Sequence, residues 1–195
     1  MPSVSVSDWV QRYQSEIPFN AGPVLDLACG GGRHARFLRG LGYEVYAVDS
    51  DLAAFSNLGT QGIICLQHDL ESSKDGLDQS EQAFHWPFEL EQFAGIVVCN
   101  YLHRPLMPLI LGSIKDGGCL IYETFAVGNE RYGRPQNPRF LLKENELLEH
   151  FVFAQRSGWH QHCLGFESGF VNRGGGAVVQ RICVQILRDV ISTGK

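Results

Sequence analysis

The chain has no apolar run approaching the roughly 20 residues needed to cross a bilayer, and its first residues, MPSVSVSDWVQ, carry neither a basic start nor an apolar stretch. A membrane span and a secretory leader are therefore not expected, and the cytoplasm is the expected compartment. Its six cysteines, Cys29, Cys65, Cys99, Cys119, Cys163 and Cys183, contain no C-x-x-C pair. Scattered thiols, four of them within or beside expected strands, read as reduced core residues rather than a disulfide framework or a zinc site. Repeats and low-complexity tracts are absent. Positive charge is also scarce: with a net charge of −5 the chain has no whole-molecule attraction to nucleic acid. What positive charge there is comes mostly as arginine, three of them (Arg131, Arg134 and Arg139) in one loop.

The composition is that of an ordinary soluble domain, with 195 residues, 44% of them hydrophobic and 19% charged. One domain over 1–195 is expected. A helix over Ser7 to Ile17, capped by Ser7, opens it. Strands over Val24–Ala28, Glu44–Val48, Ile63–Gln67, Ala94–Asn100 and Gly118–Phe125 then alternate with helices near Arg33–Arg39, Leu52–Leu58 and Pro105–Ile114. Such alternation predicts a parallel sheet with right-handed crossovers. Residues 71–82 read as a mobile acidic loop, and 126–139 as a turn-rich loop. A short helix over Lys143–His150 precedes two strands, Trp159–Phe170 and Ala177–Leu187, joined by a glycine-rich turn.

The densest information lies in VLDLACGGGRHARFL, residues 24–38. A buried strand runs into Gly30, Gly31 and Gly32, and an amphipathic helix follows with Ala35, Leu38 and Leu41 on one face. Glycine lets backbone approach a ligand closely, and the helix start offers unpaired N–H groups. The next strand ends in Asp49, a carboxylate suited to the two hydroxyls of a ribose. A nucleoside-bearing cofactor is implied. The run Gly30-Gly31-Gly32-Arg33-His34-Ala35 also satisfies the dinucleotide pattern G-x-G-x-x-G/A. Against a pyrophosphate stand Asp26, a like charge just before the loop, and a chain too short for a separate substrate domain.

The run Asp26-x-Ala28-x-Gly30-x-Gly32 resembles motif I of the class I S-adenosylmethionine-dependent methyltransferases, with Ala28 replacing the first glycine. Val45 to Asp49 resembles the second motif, His68-Asp69-Leu70 the third, and Ala94 to Asn100 and Gly117 to Glu123 the fourth and fifth strands. Within that family the chain looks most like small bacterial tellurite-resistance-like methyltransferases. The resemblance implies an α/β fold: a Rossmann-like, seven-stranded, mostly parallel sheet with an antiparallel C-terminal strand and helices on both faces. It also implies S-adenosylmethionine held by Asp26, Ala28, Gly30, Gly32, Asp49, Asp69, Leu70 and Asn100.

Methyl transfer needs orientation and a dry site more than a catalytic triad or metal, and no metal site is expected. His160-Gln161-His162-Cys163 alternates across a strand and reads as strand filler. Three groups are candidates at the acceptor. Tyr101 and His103 follow the fourth strand, and His103 could take a proton near neutrality. Glu123, closing the fifth strand, could orient a substrate amine or pair with an arginine. Arg131, Tyr132 and Arg134 are expected as a substrate lid offering guanidinium groups to a carboxylate or phosphate. Arg33 could steady the glycine loop. The expected substrate is a small molecule. Rival readings are an RNA-modifying methyltransferase, a nicotinamide-dependent oxidoreductase, and a non-catalytic cofactor-binding protein.

Overall fold

The computed structural model describes residues 5–56, 58–72, 85–154, 157–172 and 175–188. Most of the expected acidic loop, and Arg173, lie outside the described residues. The elements are α1 (Asp8–Tyr13), β1 (Val24–Leu27), α2 (Arg33–Gly40), β2 (Val45–Asp49), β3 (Ile64–Gln67), β4 (Phe93–Cys99), α3 (Met107–Gly112), β5 (Ile114–Phe125), α4 (Glu146–Leu148), β6 (Trp159–Val171) and β7 (Ala177–Arg188).

Seven strands form one sheet in the order β3-β2-β1-β4-β5-β7-β6. The first five are parallel, as the alternation of short apolar runs with helices predicts. β7 then slots antiparallel between β5 and β6. The central strands β1 and β4 are buried along their whole length, which is why they read as continuous apolar runs instead of alternating ones. Two cores result. On one face Trp9, Val10, Ala35 and Leu38 of α1 and α2 pack on Val24, Val97 and Ile121. On the other, Met107, Ile110, Leu147 and Phe151 pack on Leu25, Ile96 and Tyr122. Among the described residues no helix is long and apolar enough to cross a membrane.

Several boundaries differ from expectation. The segment after β2 forms two separate 3-10 turns, Leu52–Phe55 and Gly59–Gln61, in place of one helix. β5 starts at Ile114, four residues early, and passes Gly117 at φ +75°. The short helix near Lys143–His150 is a single α turn that continues as a π turn over Glu149–Phe153.

The strand order reverses between β1 and β4, because β2 and β3 lie to one side of β1 while β5 lies beyond β4. Open parallel sheets bind ligands outside the carboxyl ends of the strands at such a point.

Candidate functional site

The glycine loop leaves β1 through alternating backbone hands: φ is +51° at Ala28, +50° at Gly30 and +68° at Gly32. An alanine held left-handed costs about 1–2 kcal/mol, so the rest of the loop must over-determine that conformation. It does so from several sides. Asp49 Oδ2 accepts the Gly30 N–H at 2.8 Å, and the Val48 carbonyl accepts the Cys29 N–H at 3.0 Å, tying the loop to the end of β2. Arg36 donates to the Gly31 carbonyl at 2.7 Å. Arg33, nominated for that role, instead donates from Nε to His34 Nε2 at 3.1 Å.

Two of the expected cofactor ligands support the loop rather than lining a cavity. Asp26 is 1% exposed beneath the loop and accepts the Ala35 N–H at 2.9 Å, so it caps α2 from inside. Burial pushes its carboxyl up from 3.8 to about 7, against the opposing pull of that N–H. Gly32 packs inward: a Cβ there would lie 2.5 Å from Leu58 Cδ1. Leu70 is buried in the core and also lines a cavity beside Asp69.

Gly30 and Gly31 behave differently, since a Cβ on either would meet nothing within 4 Å. They form the bare rim of a cavity of about 500 Å³, completed by Ala28, Arg33, Cys99 and Asn100. A second cavity of about 160 Å³ shares Ala28 and is lined by Asp49, Asp69, Leu70 and Tyr101. Ala28 thus divides a basic, glycine-rimmed space from an acidic one. That fits a ligand with a carboxylate at one end and a hydroxyl- and amine-bearing nucleoside at the other.

Asn100 turns the chain sharply after β4 at φ +59°. It lines the glycine-rimmed cavity and also a third one, of about 190 Å³, with Thr124, Phe125, Pro135 and Phe140. A fourth cavity of about 510 Å³ opens outward from the third and is lined by His103, Arg104, Arg139 and Phe140. Tyr101 stands between the second and third cavities with its hydroxyl buried. Burial first, and then the Glu71 charge, push that phenol well above its ordinary range. It is a neutral donor, not a base. His103 lies in the outer cavity, with Nδ1 3.9 Å from Glu71 Oε2.

Two nominations move away from the site. Glu123 is fully buried on the α1 face, where it accepts from Ser7 Oγ at 3.2 Å and Arg181 Nη1 at 3.3 Å. Arg181 also pairs with Asp8 and lies over the Trp9 ring, so the arginine alternative for Glu123 holds and the substrate amine alternative does not. Arg131, Tyr132 and Arg134 are exposed and line none of the four cavities. Tyr132 is packed on Phe170 of β6, ring centroids 5.0 Å apart, which draws this turn toward the far edge of the sheet.

The residues that replace them had weak sequence signals. Glu71 opens a polar run; Pro135 and Phe140 are isolated apolar residues in a turn-rich loop. Arg104 holds that loop in place: it makes a two-pronged contact with buried Glu146 and donates to the carbonyls of Arg139 at 2.7 Å and Leu141 at 2.9 Å.

A glycine-rimmed switch point, flanked by an acid-tipped second strand and with an antiparallel seventh strand inserted beside the fifth, is the fold of the class I S-adenosylmethionine-dependent methyltransferases. S-adenosylmethionine is the cofactor of that class. The chain belongs to the TehB family: the family model described as tellurite resistance protein TehB matches residues 14–153. Among solved structures, TehB from Haemophilus influenzae is 17% identical, with a TM-score of 0.67 over 94% of this chain and 63% of that one. The present chain therefore spans about 63% of that relative's length. An S-adenosylmethionine-dependent methyltransferase from Methanosarcina mazei gives 14% identity and a TM-score of 0.66, covering 95% and 100% of the two chains. The glycopeptide N-methyltransferase MtfA, solved with S-adenosylmethionine, gives 15% and 0.55 over 92% of each. At these identities the likenesses establish the fold. No curated protein matches the chain.

Proposed function

We propose that the protein transfers a methyl group from S-adenosylmethionine to a small molecule held in the cavity behind Asn100. The observation that carries this reading is the double exposure of Asn100, which faces the glycine-rimmed cavity on one side and, on the other, a smaller half-open cavity walled in part by Leu102, Phe125, Pro135 and Phe140. When bound, the cofactor supplies an activated methyl group, and the chain's own residues supply orientation. Asp49 and Asp69 receive the ribose and adenine end. The backbone of Gly30 and Gly31, with Arg33 alongside, receives the amino-acid end. Leu102, Phe125 and Phe140 supply apolar wall to the acceptor cavity and position the acceptor beside Asn100. Tyr101 holds a proton on its hydroxyl and donates a hydrogen bond. His103 stands at the outer mouth, with Nδ1 3.9 Å from Glu71 Oε2.

The test is a calorimetric titration with S-adenosylhomocysteine and, separately, with NADH. Binding of the first alone is expected. Asp49→Ala should weaken it about 10- to 100-fold, the worth of a charge-assisted hydrogen-bond pair. Tight NADH binding, or unchanged affinity in the variant, would overturn the assignment.

A further inference from the structure

We propose that the methyl acceptor is a small, mainly apolar amine, selected by the Glu71 carboxylate at the mouth of the cavity behind Asn100. This rests on the function proposed above and deepens it. Among the described residues Glu71 alone lines three of the four cavities: the acidic nucleoside space, the acceptor space and the outer chamber. It is the single charged residue of the acceptor space, whose remaining polar groups are Asn100, Tyr101 and Thr124. The walls are Leu102, Phe125, Pro135 and Phe140.

The cations nearby do not reverse that sign. Arg104 faces the outer chamber, and its guanidinium is already committed to Glu146 and two backbone carbonyls. Arg139 is exposed in the outer chamber and lines no part of the acceptor cavity. Asp49 and Asp69 add further negative charge next door. An oxyanion entering the acceptor cavity would meet a single charge that repels it, whereas an ammonium would meet a counter-ion. The aromatic and proline walls set the size and apolar character of the group that carries it.

The chemistry balances on this arrangement. The arriving ammonium loses a proton to water at the half-exposed mouth, where Glu71 stands as its counter-ion. The freed nitrogen lone pair then forms the N–C bond while the C–S bond breaks, its electron pair staying on sulfur. Positive charge moves from sulfur to the methylated nitrogen, and no other reactant is needed.

The test sets benzylamine and phenethylamine against phenylacetate and tellurite. Methyl transfer is followed as S-adenosylhomocysteine release, and binding to the S-adenosylhomocysteine complex is followed by calorimetry. Amines should bind and be methylated, and the anions should do neither. Glu71→Gln should raise the amine KM about tenfold, the worth of one partly exposed charge-assisted contact, with a smaller change in kcat; Glu71→Asp should restore part of the loss. Transfer to phenylacetate or tellurite with none to the amines would overturn the inference, as would a Glu71→Gln enzyme with unchanged amine KM. S-adenosylhomocysteine binding without binding or methylation of either amine would also overturn it while leaving the donor site intact. Absence of S-adenosylhomocysteine binding would instead defeat the methyltransferase assignment itself.

Discussion

Replacing Asp26 by asparagine should stabilise the protein above neutral pH and leave it nearly unchanged in acid. Asp26 is fully buried under the glycine loop, and its carboxyl is raised from 3.8 to about 7. Between pH 4 and 7 the folded chain keeps a proton that the unfolded chain has released, so the stability from this group is complete below pH 4 and falls as pH rises to 7. Each pH unit in that window is worth about 1.4 kcal/mol, which sets a ceiling of about 4 kcal/mol on the penalty at pH 8. Asparagine carries no such penalty and still offers an oxygen to the Ala35 N–H, the one hydrogen bond in which Asp26 takes part at 2.9 Å. Its amide NH2 would turn toward His34 Nδ1, which lies 3.9 Å from Asp26 Oδ1. Because His34 Nε2 accepts from Ser7 N and Arg33 Nε, Nδ1 carries the proton, and two donors would face each other. That mismatch trims the gain by about 1 kcal/mol. Urea unfolding at pH 4.5, 6 and 8, followed by tryptophan fluorescence, should therefore show the variant's advantage growing from near zero to about 3 kcal/mol. A pH-independent difference, or a variant less stable at pH 8, would refute a protonated Asp26 and return it to the role of an ionised ligand.

The glycines of the loop should separate in the same assay. Gly32→Ala places a Cβ 2.5 Å from Leu58 Cδ1 at a φ of +68°; strain and overpacking together should cost about 3 kcal/mol. Gly31→Ala meets open space and should leave stability unchanged while weakening S-adenosylhomocysteine, because its methyl enters the cavity. Equal stabilities would contradict the packing. Glu146→Gln removes the ionic partner of Arg104. Burial pushes the Glu146 carboxyl up, but the Arg104 hydrogen bonds and the Lys143 N–H outweigh it and hold it below its ordinary range. Its contribution is therefore present at neutral pH and lost as pH falls through that lowered value. We expect a loss of about 1–2 kcal/mol at pH 7, reduced from the cost of a fully buried pair because Arg104 is one-third exposed. Acceptor KM should rise with S-adenosylhomocysteine affinity intact; a fall in the latter would place the clamp in the donor site.

The framework of the proposed donor site was legible because its determinants are local. A strand, a glycine turn and a helix start are consecutive in the chain, and an acid at the end of the next parallel strand must arrive beside them. Asp49 is where that logic puts it. The same logic misread Asp26 and Gly32, because spacing tells that a residue belongs to the loop and not which way it faces. Glu123 needed knowledge of Arg181, 58 residues later and on a strand inserted beside β5. Arg131 and Arg134 looked like a lid because they follow β5, but Tyr132 packs on Phe170 of β6, a contact 38 residues apart that no local pattern specifies. Glu71 stands at the head of ESSKDG, where composition reads as solvent-facing charge.

This contrast has a physical origin in the fold. Parallel pairing aligns Leu27 with Val98, so Ala28 and Asn100, both left-handed, leave neighbouring strands at nearly the same height. Backbone that turns away at both points opens a cleft with walls set by main chain, and main chain varies little with side-chain identity. The acceptor cavity has no such frame. Its walls come from the loop after β3, the turn after β4, the end of β5 and the 135–140 segment, and that last piece is held by one arginine. Changing a few side chains there re-sizes or re-charges the cavity without touching the sheet. A chain built this way can keep its methyl donor while its acceptor changes, and the charge of the residue at position 71 is the shortest route to such a change.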